Sequence, residues 1–167
     1  MTTEHSTAIT LRPARASDID GIASLVNGYA AAAIMLYRSP ESVRATLHDF
    51  VVAVDADGTV MACGALKEYS PSLAEVASVA VAREAHGLGL GTAIVGEVER
   101  LARKRGVDEL FALTLTPKFF EHAGYVVGDR ALYPEKIRRD CLKCPRRIRC
   151  NEYCVVRSVQ ESIAVAA

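Results

Sequence analysis

The sequence predicts an α/β fold, and three observations carry the prediction. Short β-rich runs alternate with segments whose apolar residues recur at helical spacing. The pair Asp57-Gly58 separates two such runs, as a tight hairpin turn requires. A glycine-rich turn, HGLGLG at residues 86–91, joins an apolar run to the longest helical pattern. With 167 residues, the chain is long enough to bury one core.

Residues 9–14, ITLRPA, read as the first strand. A helix follows, entered at Ser17 or Asp18, because Ile19, Ile22, Leu25, Val26 and Tyr29 share one apolar face. Pro40 breaks the next segment, and a second helix runs through Val43 and Leu47. The β-rich runs flanking DADG, residues 55–58, pair as a hairpin. LAEVASVAV, residues 73–81, is a strand leading into the glycine turn. Beyond it, Ile94, Val95, Val98, Leu101 and Ala102 mark one face of a long helix that Gly106 ends. DELFALTL, residues 108–115, is a strand, and PKFFEHAGY, residues 117–125, is a short helix stopped by Gly124. YVVGDRALYP, to about Pro134, starts the last part of the sheet, and EYCVVRSV, residues 152–159, closes it. Residues 1–8 are expected to be a disordered N-terminus, residues 9–157 a single domain, and residues 158–167 a tail.

The turn points to phosphate chemistry. Gly87, Gly89 and Gly91 alternate with His86, Leu88 and Leu90, and glycines let successive backbone N–H groups converge without a Cβ in the way. The following helix N-terminus adds partial positive charge, so a pyrophosphate would be held largely by backbone. The GxGxxG of a dinucleotide fold is absent, as is the GKS or GKT of a nucleoside-triphosphate site. What remains, a (Q/R)xxGxG-type turn after Val79-Ala80-Val81, resembles that of the GNAT superfamily of acyl-CoA N-acyltransferases, with His86 where Arg or Gln is usual. The element order agrees with that superfamily from Ile9 to Val159. The resemblance implies a mixed central sheet flanked by helices, with two central parallel strands splayed apart. It also implies acetyl-CoA as co-substrate, held by Val79, Ala80, Val81, His86, Gly87, Leu88, Gly89, Leu90, Gly91 and Thr92, with Phe119 and Phe120 farther along the chain.

Several segments in shared order narrow the resemblance: IMLYRSPESV, FVVA, CGALKEY, AEVASVAV, LFALT and FFEHAGY. Together they are similar to the acetyltransferase domain of N-acetylglutamate synthases of arginine biosynthesis, and to their short form without a preceding kinase domain. The acceptor implied is L-glutamate, whose α-amine must lose a proton before it attacks the thioester. By resemblance Glu75 supplies the base, directly or through water, and the Val79 N–H polarises the thioester carbonyl. Arg38 and Lys67 are the cations for the acceptor's carboxylates. Many relatives carry a Tyr acid where this chain has Phe119-Phe120, so the thiolate leaves unaided or another group protonates it. Arg149, Asn151 and Glu152 do not match the Arg and Ser that larger synthases use near the final strand. Tyr125 and Cys63 read as packing residues, and His122 as a surface residue.

Cys141, Cys144, Cys150 and Cys154 follow a C-x2-C-x5-C-x3-C spacing. Four thiolates so spaced are suited to Zn²⁺ or an iron–sulfur cluster; a redox-sensitive pair and plain reduced packing thiols are the alternatives. Lys plus Arg number 20 and Asp plus Glu number 20, so no net charge draws the chain to nucleic acid or an anionic membrane. The longest apolar run, residues 30–36, is far short of a membrane span, and MTTEHSTA lacks the regions of a signal peptide. A cytoplasmic enzyme is expected, with a homodimer as the analogy to the superfamily. Two competing readings remain: a GNAT enzyme for another small amine or amino acid, and a non-catalytic acyl-CoA, metal or redox sensor.

Overall fold

In the computed structural model, which describes residues 8–160, the β-rich runs become seven strands. They are β1 Thr10–Pro13, β2 Phe50–Val54, β3 Val60–Ser70, β4 Leu73–Val81, β5 Glu109–Thr114, β6 Val126–Gly128 and β7 Tyr153–Ser158. Their order in the sheet is β1-β2-β3-β4-β5-β7-β6. β4 and β5 run parallel, whereas β1 with β2, β2 with β3, β5 with β7 and β6 with β7 are antiparallel, so the sheet is mixed. Five helices accompany it among the described residues: α1 Ile19–Ala31, α2 Pro40–Ala45, α3 Leu90–Lys104, α4 Pro117–His122 and α5 Pro134–Arg139. The residues group into two compact units. One holds the chain through Ala65 together with Ala77–Val98; the other holds Leu66–Val76 and the chain from Glu99 onward.

In the first unit, α1 begins where expected. Asp18 is its N-cap residue, but the buried carboxylate turns to Arg12, which it meets at 2.7 and 3.0 Å, and to the Arg15 backbone N–H at 2.7 Å. Ile22, Val26, Val43, Phe50 and Val52 are 1% exposed or less and form one apolar cluster with Cys63 and Ala80. Burial of such a side chain stabilises by about 1.5–3 kcal/mol. The second helix is shorter than its apolar pattern implies. Ser39 caps it, accepting the Ser42 N–H at 3.1 Å, but α2 ends at Ala45 and Leu47–Asp49 form a 3₁₀ turn. Gly64 is needed for packing: a Cβ there would stand 2.5 Å from Ile94 Cγ2 of α3.

In the second unit, the parallel register of β4 with β5 runs from Leu73↔Glu109 to Glu75↔Phe111, and both strands continue beyond it. Glu75 is therefore the last residue of β4 paired with β5. Phe111 stacks on Tyr133 with centroids 4.3 Å apart and meets Tyr69 at 5.5 Å, forming an aromatic core with Cys154. The expected sheet segment through Pro134 needs correction. β6 stops at Gly128, Arg130–Leu132 form a 3₁₀ turn, and α5 follows with Pro134 at its first turn, where the missing N–H costs nothing. Ser158 still pairs with Glu109, and Val159 is buried, its N–H donating to the Asp108 carbonyl at 2.9 Å. The expectations for residues 1–7 and 161–167 lie outside the described residues.

Candidate active site

The glycine turn lies in the first unit. Beyond Val81, a 3₁₀ turn at Arg83–Ala85 leads to His86, and α3 begins at Leu90. Gly87 and Gly89 adopt φ of +82° and +76°, the left-handed region that a side chain enters only with strain. Leu90 is 7% exposed and anchors the turn to the core, while Leu88 is exposed. The first-turn N–H groups of α3, at Leu90, Gly91 and Thr92, lie beyond the reach of any preceding helical carbonyl, which makes them donors for an anion.

His86 has defined partners. Its Nε2 lies 2.9 Å from the Tyr29 hydroxyl and 3.2 Å from the Val81 carbonyl, and Tyr29 donates its own proton to that carbonyl. The imidazole thus ties α1 to the end of β4 beside the glycines. Within β4, Ser78 is a non-glycine residue at φ +54°, and its carbonyl accepts from the Cys63 thiol at 3.4 Å. This local departure from strand geometry immediately precedes Val79 and Val81, both half-buried, and the buried Ala80. Cys63 is fully buried, and burial pushes its thiol up to about 12, which fits a core residue.

Arg38, also in the first unit, is half-buried. Its backbone N–H donates to Asn27 Oδ1 at 2.8 Å, its guanidinium donates to Thr46 Oγ1 at 2.9 Å and Ser42 O at 3.4 Å, and Cζ lies 5.5 Å from the Phe50 ring centroid. α2 therefore braces the guanidinium.

In the second unit, Glu75 and Lys67 belong to a single charged network that sequence reasoning found only in part. Glu75 is 5% exposed. Its Oε1 lies 2.9 Å from Lys136 Nζ, and its Oε2 accepts from the Tyr69 hydroxyl at 2.8 Å. Lys67 reaches Asp140 Oδ2 at 2.5 Å, and the same oxygen receives Lys136 Nζ at 2.8 Å and the Tyr69 hydroxyl at 3.0 Å. Burial and the two carboxylates push the Tyr69 phenol far above its ordinary value, so it remains a donor. Burial alone would pull the Lys136 ammonium down, but Glu75 and Asp140 outweigh it and raise it. Burial would likewise raise Asp140, yet hydrogen bonds from Lys136 and Lys67 hold its carboxyl at about 2. The Lys136 ammonium and the Asp140 carboxylate are therefore both charged at neutral pH.

Lys136, Asp140 and Tyr69 went unrecognised in the sequence. The i, i+4 spacing of Lys136 and Asp140 was the available signal, but a six-residue helix has no apolar period to reveal it. Phe119 and Phe120 lie on α4 at a ring separation of 5.1 Å; Phe120 is buried against Tyr125, 5.2 Å away. Tyr125 is 2% exposed and packs as expected, while His122 is exposed.

The four cysteines expected as metal ligands are not gathered into one cluster among the described residues. Among the described residues no group of three or more His, Cys, Asp or Glu side chains is placed to hold a metal ion. The reason lies in β7, which carries Cys154 into the aromatic core at 4% exposure. Burial pushes that thiol up to about 11. Cys141, Cys144 and Cys150 are half-buried in the preceding loop, and all five cysteines are unpaired.

Comparison with known proteins shows the family. Residues 24–125 match the profile of the Acetyltransferase (GNAT) family. An uncharacterized N-acetyltransferase of Chlorobaculum tepidum is 39% identical over 149 residues, covering 89% of this chain and 96% of that protein. An amino-acid acetyltransferase of Pasteurella multocida is 30% identical over 81% of this chain, which spans 31% of that protein. Among solved structures, N-acetylglutamate synthase of Neisseria gonorrhoeae, complexed with coenzyme A and N-acetyl-glutamate, superposes with a TM-score of 0.81 and 28% identity. That match covers 92% of this chain and 35% of the synthase.

Proposed function

Because the chain belongs to the acetyltransferase (GNAT) family and is thereby an acetyl-CoA-dependent N-acetyltransferase, we propose that its acceptor is the α-amine of L-glutamate. The likeness to a synthase solved with coenzyme A and N-acetyl-glutamate carries this reading. Arginine biosynthesis would be the pathway and the cytoplasm the location. The whole chain from residue 9 to 157 would act as one catalytic domain, without nucleic acid as a partner, and a homodimer is its proposed assembly.

In the proposed mechanism, acetyl-CoA supplies an activated acetyl thioester. The turn at Gly87–Gly91 and the first turn of α3 bind its pyrophosphate through backbone N–H groups. The Val79 N–H stabilises negative charge developing on the thioester oxygen. Glu75 takes a proton from the acceptor's ammonium, and the neutral amine so formed attacks the thioester carbon. Lys136 and Tyr69 already contact the two carboxylate oxygens of Glu75, so the proton reaches it through water. Lys67 and Arg38 bind the acceptor's carboxylates, and the low basicity of a thiolate lets coenzyme A leave without an acid from Phe119 or Phe120.

Release of free thiol from acetyl-CoA across a panel of amines tests the reading. Turnover selective for L-glutamate, with KM rising in Arg38→Ala and Lys67→Ala, supports it. Turnover with a different amine overturns the glutamate assignment, and acetyl-CoA binding without turnover of any amine favours the sensor.

A further inference from the structure

We infer that Asp140 is an internal carboxylate that occupies the acceptor-binding Lys67 in the free enzyme, and so sets the affinity and selectivity for a carboxylate-bearing acceptor. The inference rests on the reading of Lys67 as a substrate ligand. Its basis is the convergence of donors on one oxygen. Asp140 Oδ2 receives the Lys67 ammonium at 2.5 Å and the Lys136 ammonium at 2.8 Å, and it lies 3.0 Å from the Tyr69 hydroxyl, whose one proton it shares with Glu75 Oε2 at 2.8 Å. Two ammonium groups and a phenol are what a protein would assemble to bind an anionic substrate group. Here the anion is tethered, standing at the C-terminal end of α5, one turn beyond Lys136.

Lys136 and Lys67 have different freedom. Lys136 is 11% exposed in its side chain and bridges two carboxylates, so it is committed to the fold. The Lys67 side chain is 33% exposed, and Asp140 takes one of its three ammonium hydrogens. The Lys67 ammonium also lies 5.4 Å from the Tyr69 ring centroid, and the Arg139 guanidinium lies 5.1 Å from the same centroid. An acceptor carboxylate arriving at Lys67 meets a cluster whose two lysines are already neutralised by Glu75 and Asp140. It must share Lys67 with Asp140 or displace it. Neutralising Asp140 while keeping its shape leaves one uncompensated positive charge at that place, with Arg139 adjoining, and strengthens the hold on an anionic acceptor.

The test is Asp140→Asn, assayed with L-glutamate and with L-glutamine, which lacks the side-chain carboxylate. The expected result is a KM for L-glutamate lowered about fivefold, the scale of one partly exposed charge pair. The KM for L-glutamine should move much less, and kcat should not rise with either acceptor. A merely structural role would alter both acceptors alike. A KM for L-glutamate that rises or stays constant overturns the inference. Asp140→Ser serves the same comparison if the Asn variant fails to fold.

A second measurement separates this inference from the glutamate assignment. Lys67 is labelled with limiting acetic anhydride and read by mass spectrometry in the wild type and in Asp140→Asn. Faster labelling of Lys67 in the variant supports its occupation by Asp140, whatever the acceptor proves to be. Equal labelling overturns it. If labelling rises but the wild type ignores L-glutamate, the glutamate assignment fails and the inference passes to the carboxylate-bearing acceptor that the panel identifies. If the panel identifies no such acceptor, the inference fails as well.

Discussion

The Lys136 ammonium holds two acids at once, which makes it the most consequential single group in the second unit. Glu75 and Asp140 lie 2.9 and 2.8 Å from it, and its side chain is 11% exposed. Lys136→Met removes the shared counter-ion and leaves two carboxylates facing each other across Tyr69. The expected loss is about 3 kcal/mol, seen as a lower urea midpoint with an unchanged slope. Glu75→Gln separates chemistry from stability: kcat should fall by about a hundredfold or more if Glu75 receives the proton, while the KM for acetyl-CoA is retained. Asp140 carries a pH signature. Its folded-state carboxyl, at about 2, lies below the ordinary value near 4, so its contribution to stability is complete above pH ~4 and lost as pH falls toward 2. Acid titration of stability should therefore be flatter over that window in Asp140→Asn than in the wild type. Lys67 and Tyr69 stand two residues apart in the segment CGALKEY, yet their shared partner Asp140 lies 73 residues from Lys67. No local pattern connects them.

Elements show how local signals become positions. The turn before α3 was legible because glycine is the residue that occupies φ near +80° without strain, and Gly87 and Gly89 do so. Gly87→Ala and Gly89→Ala should each cost about 1 kcal/mol of stability. Combined, they should weaken acetyl-CoA binding about tenfold by calorimetry, if this turn holds the pyrophosphate. Gly64 makes a different demand. Its φ lies outside the left-handed region, but Ile94 would stand 2.5 Å from an added Cβ. Gly64→Ala should destabilise by about 2 kcal/mol through overpacking, read as a lower melting temperature. The strand letters of YVVGDRALYP, by contrast, concealed a three-residue strand and a helix. Pro134 marked the start of α5, but six residues are too few for a period to speak against the β-rich composition before them. Ser78 at φ +54° left no trace in the sequence at all, because serine carries no preference that announces a left-handed residue inside a strand.

At the scale of the whole molecule, the cysteines divide by burial rather than by spacing. Cys63 and Cys154 are buried with thiols pushed to about 12 and about 11, while Cys141, Cys144 and Cys150 are half-buried. Brief alkylation of the native protein should therefore label the latter three and spare the first two, as peptide mass mapping will show. The sequence by itself determined the α/β alternation, the hairpin, the glycine turn, the long helix and the resemblance that the family match bears out. Those features rest on periodicity and turn chemistry, which act over a few residues and can be read from them. Only the tertiary structure decided that Lys67 meets Asp140, that Lys136 joins Glu75 to Asp140, and that Cys154 leaves its three neighbours for the aromatic core. Charge partners and core neighbours depend on which distant segments the sheet brings side by side, and no short-range preference encodes that choice.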